Sequence, residues 1–547
     1  MKRLLIGLLI LPCVAVAKPL PDNIYFRAMN DEMQRAIKEL RLKDHPDPYY
    51  IAYWLRRNYN WEVEADMGTL TPLVYDPADQ GRWTAETFVS VGSDKQDGLG
   101  FSDTEPFSWQ LRQAELPQGY PAPGYDSIRQ YLWWLTDTAY VQAANLYKKK
   151  KSYKQKKNIH DTLPDVMPAK PAYFVEDIVP FVHPDVTVLQ RSVKEWSSLG
   201  KMLPYMEKFR WKIDVRHTDW YYLNSRGAVA QYSYPAVWVY GTAEFRQPDG
   251  KVSTTHVTWW LKDVSEEELT RTHGRVEEFV AQIKQAYGAK SGEAYVGPVL
   301  LKPGAAAQFV WNAVLSQMRN SKPWLLTYSD DDKEAGKLYK KQHLRVSTDL
   351  LTIYDRPLLR EFEGITLSRF RPVDGEGVAA ENLTLVQNGH VKEFPLTQRP
   401  LGKNHRSNGH AQISQLYGPR EDLTNVFVEP TETWTDEQME EKLLARCREL
   451  GLEYGYILHE PNPSGDLGIE RIYTKDGRKE TVLNLKWDGN FFTQRDLRSV
   501  LAVGGKAKLA ENFYNKVIVT PSVLMSEVEL VPQEHKPHRQ PFIAKPK

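Results

Sequence analysis

Cysteine is nearly missing from this chain, since only Cys13 and Cys447 occur among its 547 residues. The sequence contains no Cys-x-x-Cys pair, no Gly-x-Ser-x-Gly turn and no Gly-Lys-Ser/Thr phosphate loop. These absences exclude a disulfide framework, a thioredoxin-like redox pair, a serine-hydrolase elbow and a P-loop. These motif classes therefore identify no active site in the sequence.

An excess of one charge is missing as well. The 71 lysines and arginines offset 70 aspartates and glutamates, which leaves a formal net charge of +1. A nucleic-acid binder needs a one-sided basic surface to neutralise phosphates, so we expect no nucleic-acid partner. The length indicates roughly two to four domains. The 16 tryptophans and 29 tyrosines favour packing surfaces and peptide contacts.

Long hydrophobic runs are missing beyond the first residues. Lys2 and Arg3 precede an apolar stretch at 4–16, and Ala15-Val16-Ala17 fits the small-x-small rule of signal peptidase. We therefore predict that residues 1–17 are a cleavable signal peptide, and that the mature protein is periplasmic or secreted, in a bacterium, with no transmembrane segment. An uncleaved anchor is the alternative, although the apolar run is short for a bilayer.

The first half of the chain predicts helices paired with an antiparallel sheet. Apolar periodicity predicts helices at 24–42, 127–157 and 265–287, and strands at 48–55, 211–215, 219–224, 228–231, 236–245 and 254–261. The second of these helices ends in a basic run. We expect it to be a solvated helix end rather than a polyanion site. The basic run comprises Lys148 to Lys151, Lys154, Lys156 and Lys157.

The second half predicts a β-rich region. Strands are expected at 350–354, 364–369, 382–387, 390–394, 517–520 and 522–530, with a hairpin turn at Asn388-Gly389. A capping box at 435–438 opens a helix that places Cys447 on its apolar face, which favours a buried core thiol over a nucleophile.

The fold class predicted from these elements is α+β. An N-terminal domain of helices and antiparallel sheet is expected at 18–290, and a β-rich C-terminal domain at 293–530, with a helical insertion near 435–450. The Gly288–Gly292 stretch is the predicted boundary between them. Residues 531–547 are predicted to be a mobile tail.

One segment in the second half, at 297–320, contains none of the residue types that commonly act as metal ligands or catalytic bases. An apolar run at 298–301 meets Pro303-Gly304, and apolar residues then recur at helical spacing to Met318, which predicts strand, turn and helix. No His, Asp, Glu or Cys occurs between residues 297 and 320.

An ordered series of segments resembles the TldD/PmbA family, the "modulator of DNA gyrase" proteins. In its C-terminal half the matching segments are PVLLKPGAAAQFVWNAVL (298–315), LTIYDRPLL (351–359), VDGEGVAAENLTLVQNGHVKEF (373–394), RSNGHAQ (406–412) and TPSVLMSEVEL (520–530). The predicted signal peptide resembles the exported branch of that family, and so do the segments AMNDEMQRAIKELRL (28–42), PYYIAYWL (48–55), WWLTDTAYVQA (133–143) and NSRGAVA (224–230).

The resemblance implies a peptidase system of two kinds of subunit. TldD-type members carry a helical His-Glu-x-x-x-His zinc motif after the strand that corresponds to 298–301, and their TldE-type partners lack it; together they enclose a chamber that degrades flexible peptides. Because neither His nor Glu occurs at 305–318, the resemblance implies a TldE-like, metal-free chain, with zinc in a TldD-like partner. Three alternatives stay open: a peptidase active alone through an unrecognised site, a non-enzymatic peptide-binding or assembly protein, and a homo-oligomer.

Other candidate metal ligands are weak. His459-Glu460 is followed by Pro461 and Pro463, which prevent a helix from presenting a second ligand one turn later. The pair His273 and Glu277 has no evident third ligand. His535 and His538 flank Pro537 in the tail, and the aspartates at 330–332 lack the spacing of a calcium loop.

The best binding candidate is a polar loop that also matches the family. It could hold the carboxylate or backbone of an extended peptide, although a polar turn without a function is the alternative. Asp374 and Glu376 resemble a carboxylate pair, but within a DGEG turn they are expected to fix the turn through backbone hydrogen bonds. The predicted substrate-binding residues are Arg399, His405, Arg406, Asn408, Gly409 and His410.

Overall fold

The protein is described by a computed structural model over most of its length. The described residues are 19–72, 74–75, 81–101, 111–115, 123–318, 325, 345–414, 418–459, 468–487, 496–510 and 517–533. The predicted signal peptide, Asp330 to Asp332, Glu460 and the tail from 534 onwards lie outside these ranges.

Six α-helices lie in the described ranges. The helices predicted at 24–42, 127–157, 265–287 and near 435–450 agree with the observed bounds to within three residues, whereas the helix predicted to continue to Met318 ends at Ala313. None of these helices has both the length and the hydropathy needed to cross a membrane. The helices are α1 Ile24–Glu39, α2 Tyr125–Lys157, α3 Val186–Ser198, α4 Glu266–Ala286, α5 Pro303–Ala313 and α6 Asp436–Glu449. Short 3-10 helices occupy Leu199–Met202, Leu315–Gln317 and Asp496–Ser499.

The first sheet has nine strands in the described part of the chain. They are β1 Pro48–Asp66, β2 Thr69–Leu70, β3 Val74–Tyr75, β4 Arg82–Val91, β5 Leu111–Glu115, β6 Tyr173–Val175, β7 Met206–Asn224, β8 Val229–Arg246 and β9 Val252–Leu261. The strand order is β5-β4-β1-β7-β8-β6, with β2 and β3 on β1 and β9 on β8. All pairs are antiparallel except β6 with β8.

Long central strands replace several shorter predicted ones. The strands predicted at 211–215 and 219–224 are one strand, β7, and those predicted at 228–231 and 236–245 are parts of β8. The polar residues between the predicted strands suggested that the strands were separate. The pairing of β7 with β8 nevertheless continues through these residues, with His217 opposite Pro235. Pro235 is tolerated because the pairing of β9 with β8 begins only at Val237.

Residue parity separates the two faces of this sheet. Odd-numbered residues of β1, β7, β8 and β9 form the helix face, which packs on α1 and α2 at one end of the strands and on α3 and α4 at the other. Even-numbered residues form the opposite, even face. Its aromatic end, including Trp54 and Tyr222, is covered by Phe370 and Val373 from the second half of the chain.

The second sheet has eleven strands in the described ranges. They are β10 Tyr295–Leu301, β11 Leu351–Asp355, β14 Leu383–Gln387, β15 His390–Val391, β18 Asn425–Pro430, β19 Tyr454–Leu458, β20 Ile469–Tyr473, β21 Lys479–Thr481, β22 Leu485–Trp487, β23 Val500–Leu509 and β24 Val517–Pro532. The order is β15-β14-β11-β18-β24-β10-β19-β20-β21, with β22 and β23 on β24. Two small hairpins pair β12 Glu361–Phe362 with β13 Ile365–Thr366, and β16 Ala411–Ser414 with β17 Gly418–Glu421.

The fold class α+β is confirmed, with two corrections to the strands predicted in the second half. The strand predicted at 364–369 is only β13, Ile365–Thr366, which pairs with β12 outside the second sheet. The strands predicted at 517–520 and 522–530 are a single strand, β24. Pro521 fits inside it because β18 pairs only as far as Val519, β10 pairs from Val523, and β23 bulges between its partners of Thr520 and Ser522. The domain limits at 18–290 and 293–530 stay predictions.

The strand-turn-helix unit is confirmed, and it lies in the core. Val299 and Leu301 pack in the cluster that contains α5, while Leu300 faces the cluster that contains α6. Cys447 on α6 is fully buried, and burial raises its pKa, as expected for a core thiol. The capping box at Thr435 and Gln438 is also present.

The prediction of a solvated end for α2 is wrong for two of its lysines. Lys150 is 2% exposed, and its Nζ lies 2.8 Å from Asp165 Oδ2. Lys154 is paired with Asp161. The chain on either side of the helix folds back over these two side chains, and burial lowers the pKa of Lys150. The other lysines of the run are exposed.

Candidate functional site

Most side chains of the predicted binding loop make contacts inside the protein. Asn408 Oδ1 accepts from the Leu396 N–H at 2.8 Å, and its Nδ2 donates to the Phe394 carbonyl at 2.8 Å. His410 is fully buried, with Nδ1 3.0 Å from the Asn408 carbonyl and Nε2 3.3 Å from Asp355 Oδ2. Gly409 adopts a positive φ of 77°. Asn408 thus binds the loop to the backbone of Phe394 and Leu396, and His410 lies against the Asp355 carboxylate.

The other predicted binding residues differ in exposure. Arg399 is 3% exposed, and its guanidinium fills the space that a Cβ at Gly100 would need. His405 Nε2 lies 2.6 Å from the Thr397 carbonyl, and burial lowers its pKa. Arg406 is exposed and pairs with Glu381. The substrate-binding role of the six residues stays a prediction.

Asp374 and Glu376 behave as the turn prediction requires. Asp374 Oδ1 accepts from the backbone N–H groups of Glu376 and Val378, at 2.9 and 2.8 Å, and its Oδ2 accepts from Ala411 N at 2.9 Å. Glu376 Oε2 accepts from Gln398 N at 2.7 Å. Burial, together with the charge of Asp374, raises the pKa of Glu376 to about 8. Both carboxyls are thus structural partners of the backbone.

The candidate metal ligands stay dispersed. His459 Nε2 pairs with Glu470 Oε2 at 2.8 Å, and His273 with Glu277 at 3.8 Å on the surface of α4. Glu460, His535 and His538 lie outside the described residues. Within the described ranges, no three His, Cys, Asp or Glu side chains converge as they would around a metal ion.

The sequence prediction missed the even face of the first sheet. Beyond its aromatic end, this face carries ion pairs: Lys212 of β7 pairs with Glu62 of β1 at 3.4 Å, and Arg216 pairs with Asp214 of the same strand at 2.8 Å. Cations also lie over rings, with Lys212 Nζ 5.1 Å from the centre of Tyr240. The alternation of polar residues at 56–66 and 208–216 was the available sequence signal.

Within the described part of the chain, several buried polar atoms on the even face lack hydrogen-bond partners. Register places each of them on this face, because Arg56 lies opposite Thr84 and Trp220, and Asp214 lies opposite Trp238. Buried polar groups are normally satisfied, but Trp211 Nε1 on the helix face is unpartnered in the same way, so these atoms do not by themselves mark a binding surface. The atoms are Arg56 Nε, Asn60 Oδ1, Thr84 Oγ1, Trp220 Nε1 and Trp238 Nε1.

A cavity of about 340 Å³ lies at the aromatic end of this face, within the range of small-ligand sites. Segment 368–375 and the start of β16 form its opposite wall. Arg56 pairs with Glu86, while Arg369 and Arg371 share Asp422. The aromatic lining consists of Trp54, Trp220, Tyr222, Tyr232, Tyr234 and Phe370.

Comparisons with known proteins agree with this architecture. Residues 293–531 match the family described as "PmbA/TldA metallopeptidase C-terminal domain". The fold is similar to that of TldE from Thermococcus kodakarensis, with 14% identity, a TM-score of 0.58, and coverage of 92% of this chain and 100% of that one. No curated protein matches the chain in sequence.

Two further solved structures share the fold. One is a candidate DNA gyrase modulator from Thermotoga maritima, with 13% identity, a TM-score of 0.58, and coverage of 93% of this chain and 100% of that one. The other is a candidate DNA gyrase modulator from Bacteroides thetaiotaomicron, with 13% identity, a TM-score of 0.55, and coverage of 93% and 98%. At these identities the likeness concerns the fold.

Proposed function

Through residues 293–531 the chain belongs to the metallopeptidase-related TldD/PmbA family, and from this premise we propose that it is the metal-free, TldE-like partner of an exported metallopeptidase that degrades flexible peptides. In this role the chain binds and presents extended peptides, while a TldD-like homologue supplies zinc and the catalytic base. Export rests on the predicted signal peptide at 1–17.

The observation that carries the proposal is the composition of α5. A helical zinc site needs two histidines one turn apart, with a glutamate between them as the base. In α5, Ala305, Ala306, Phe309 and Val310 are fully buried, and its polar pair is an amide pair, with Gln308 Nε2 donating to Asn312 Oδ1 at 2.9 Å. These residues do not fit zinc, so no hydrolytic step is assigned to α5.

The even face supplies the second support. It presents arginine, lysine, carboxylate and amide side chains together with tryptophan and tyrosine rings, and this mixture suits peptides of varied sequence. Its charged side chains can exchange hydrogen bonds with polar groups from outside the chain. An unfolded peptide offers such groups along its whole backbone, whereas a folded protein has already paired most of them.

The first test is metal content by elemental analysis of the mature protein, with a peptidase assay on an unstructured peptide. The assay is run with the chain alone and after mixing with a co-exported homologue that carries His-Glu-x-x-x-His. We expect less than stoichiometric zinc in this chain, and cleavage only in the mixture.

Two controls sharpen this test. Replacing both motif histidines of the homologue by alanine should abolish cleavage in the mixture, and N-terminal sequencing of the exported chain should begin at Lys18. Stoichiometric zinc with activity of the chain alone would instead establish an independent peptidase. Failure of every mixture to cleave would favour a non-enzymatic binding protein.

A further inference from the structure

We propose that α2 binds the surface of a lipid bilayer that contains anionic phospholipids. The contact is made by the outer face of α2, which we define by Trp133, Trp134, Lys148 and Lys151. The two tryptophan rings enter the headgroup region, and the lysines contact lipid phosphates. This inference goes beyond the proposed function, because it concerns where the protein is held rather than which substrate it handles.

The tryptophan pair is the first observation. Trp133 is 49% exposed and Trp134 is 53% exposed, whereas the other tryptophans in the described ranges are buried or half-buried. The pair follows Leu132, which is fully buried against the first sheet, so the two rings point away from the core. Large aromatic side chains are normally used for packing, and adjacent exposed ones indicate a surface that something else covers.

A third exposed apolar side chain lies near the pair. Leu42, just beyond the end of α1, is 39% exposed, and its N–H donates to Tyr140 OH at 3.1 Å. Tyr140 lies about two turns beyond Trp133, and therefore on nearly the same side of α2. The apolar part of the surface thus extends from α2 to the chain that follows α1.

The exposed lysines lie on the same side of α2 as the tryptophans. An α-helix repeats every 3.6 residues, so Lys151, eighteen residues after Trp133, lies about five turns further on the same line. Lys148 lies within about 40° of the line through Trp134. The distance along the helix from Trp133 to Lys151 is roughly 27 Å. One side of α2 therefore presents two rings in its first half and positive charge in its second half.

Positive charge exceeds negative charge on the exposed part of α2. Its exposed acids are Asp126 and Asp137. The acids that fold back over the end of the helix are already engaged, because they pair with the buried Lys150 and with Lys154. The exposed lysines of the helix are Lys148, Lys149, Lys151, Lys156 and Lys157.

A bilayer surface accounts for both halves of the outer face. The lysines alone would fit a solvated helix end, as the sequence predicted for the basic run. Tryptophan, however, favours the membrane–water interface, where its ring lies among the headgroups, and each lysine near an anionic leaflet strengthens binding about fivefold. A soluble acidic polymer would engage the lysines and leave the apolar rings in water. The bilayer is therefore the partner that fits the charge and the aromatic surface together.

The test uses the full mature protein and vesicles of two compositions. Vesicles of phosphatidylcholine alone are compared with vesicles of phosphatidylcholine and phosphatidylglycerol in equal amounts, and bound protein is measured by flotation. We expect binding to the mixed vesicles to be at least about tenfold tighter, because a neutral bilayer does not attract the lysines. High salt should reduce this difference, since it screens the charges.

The decisive variant is Trp133→Ala with Trp134→Ala, which removes both rings and keeps a high helix propensity. We expect binding to the mixed vesicles to weaken at least about tenfold, because the apolar area that leaves water on binding is lost. Val182→Ala with Met202→Ala is the matched control, because these side chains are 83% and 62% exposed and lie on either side of α3. Its binding should stay within about twofold of the parent protein.

A second variant, Lys148→Gln with Lys151→Gln, removes two charges from the outer face. It should weaken binding to the mixed vesicles about ten- to thirtyfold and change little with phosphatidylcholine alone. Lys194→Gln with Lys284→Gln removes the same charge from exposed positions on α3 and α4, and its binding should stay within about twofold. Each variant is first shown to unfold at the urea midpoint of the parent protein.

The inference is overturned if the parent protein does not bind the mixed vesicles, or if the tryptophan variant binds them as the parent does. It is also overturned if the tryptophan variant lowers the mass of the protein in sedimentation without vesicles, because the pair would then cover a second copy of this chain. Peptide cleavage in the mixture with the zinc-bearing homologue depends on none of these outcomes, so the proposed function is tested separately.

Discussion

The two faces of the first sheet are built on the same strands and have opposite character. On the helix face, residues such as Trp211 and Ile213 are fully buried against α3 and α4. On the even face, their immediate neighbours Lys212 and Asp214 form ion pairs. Because the ladder satisfies the backbone for both faces, one face can provide stability while the other binds ligands.

The largest effect that separates the faces is expected from Trp211→Ala. Trp211 is fully buried, with its ring 5.2 Å from Trp259 and 5.8 Å from Phe279, so truncation leaves a large cavity. We expect a loss of about 3–5 kcal/mol in the free energy of unfolding, measured by urea denaturation. Trp238→Ala on the even face is the matched control and should cost clearly less. Equal losses would contradict the division between the faces.

The second-largest effect is a pH dependence of stability, and it concerns Glu376 at the covered end of the even face. The Glu376 carbonyl accepts hydrogen bonds from Asn224 Nδ2 and Tyr50 OH, each at 3.3 Å. The pKa of its carboxyl is raised from 4.5 to about 8, first by burial and then by Asp374. The native state therefore keeps a proton that the unfolded chain releases near pH 4.5. The stabilisation is complete below that pH and is lost as the pH rises towards 8.

Glu376→Gln should remove this dependence, because the amide stays neutral at every pH. We expect the free energy of unfolding to fall less between pH 5 and pH 8 in the variant, by an amount on the order of a few kcal/mol at most. Urea titrations at both pH values measure it. Glu381→Gln, at an exposed site, is the control and should keep the slope of the parent protein. A parent-like slope in Glu376→Gln would show that Glu376 is ionised in the native state.

Local patterns predicted the parts of the fold that depend on neighbouring residues. The Asn388-Gly389 turn has positive φ at both positions, the capping box opens α6, and the apolar spacing around Pro303 gives strand, turn and helix. Each of these depends on a few adjacent side chains. The same holds for Cys447, whose helical spacing indicated a core position.

The errors and omissions come from contacts between distant residues. Lys150 is buried because Asp165 and the Leu99 carbonyl meet it, and neither is visible from the lysine run. Pro521 continues a strand because its three neighbouring strands leave that position unpaired. The cavity joins Trp54, Trp220 and Phe370, and no local pattern brings these together. The alternation of polar and apolar residues can predict a strand, but it does not predict which parts of the chain cover the even face.

The smallest effect should come from Arg210→Ala, at the open end of the even face. Arg210 is 45% exposed and lies 3.5 Å from Asp66 and 3.7 Å from Glu64. Water screens such pairs, so we expect a loss of only about 0.2–1 kcal/mol in the free energy of unfolding, smaller still in high salt. Urea denaturation at low and high salt measures it. A loss comparable to that of Trp211→Ala would mean that the even face is part of the stabilising core, and its ion pairs would then be poor candidates for a binding surface.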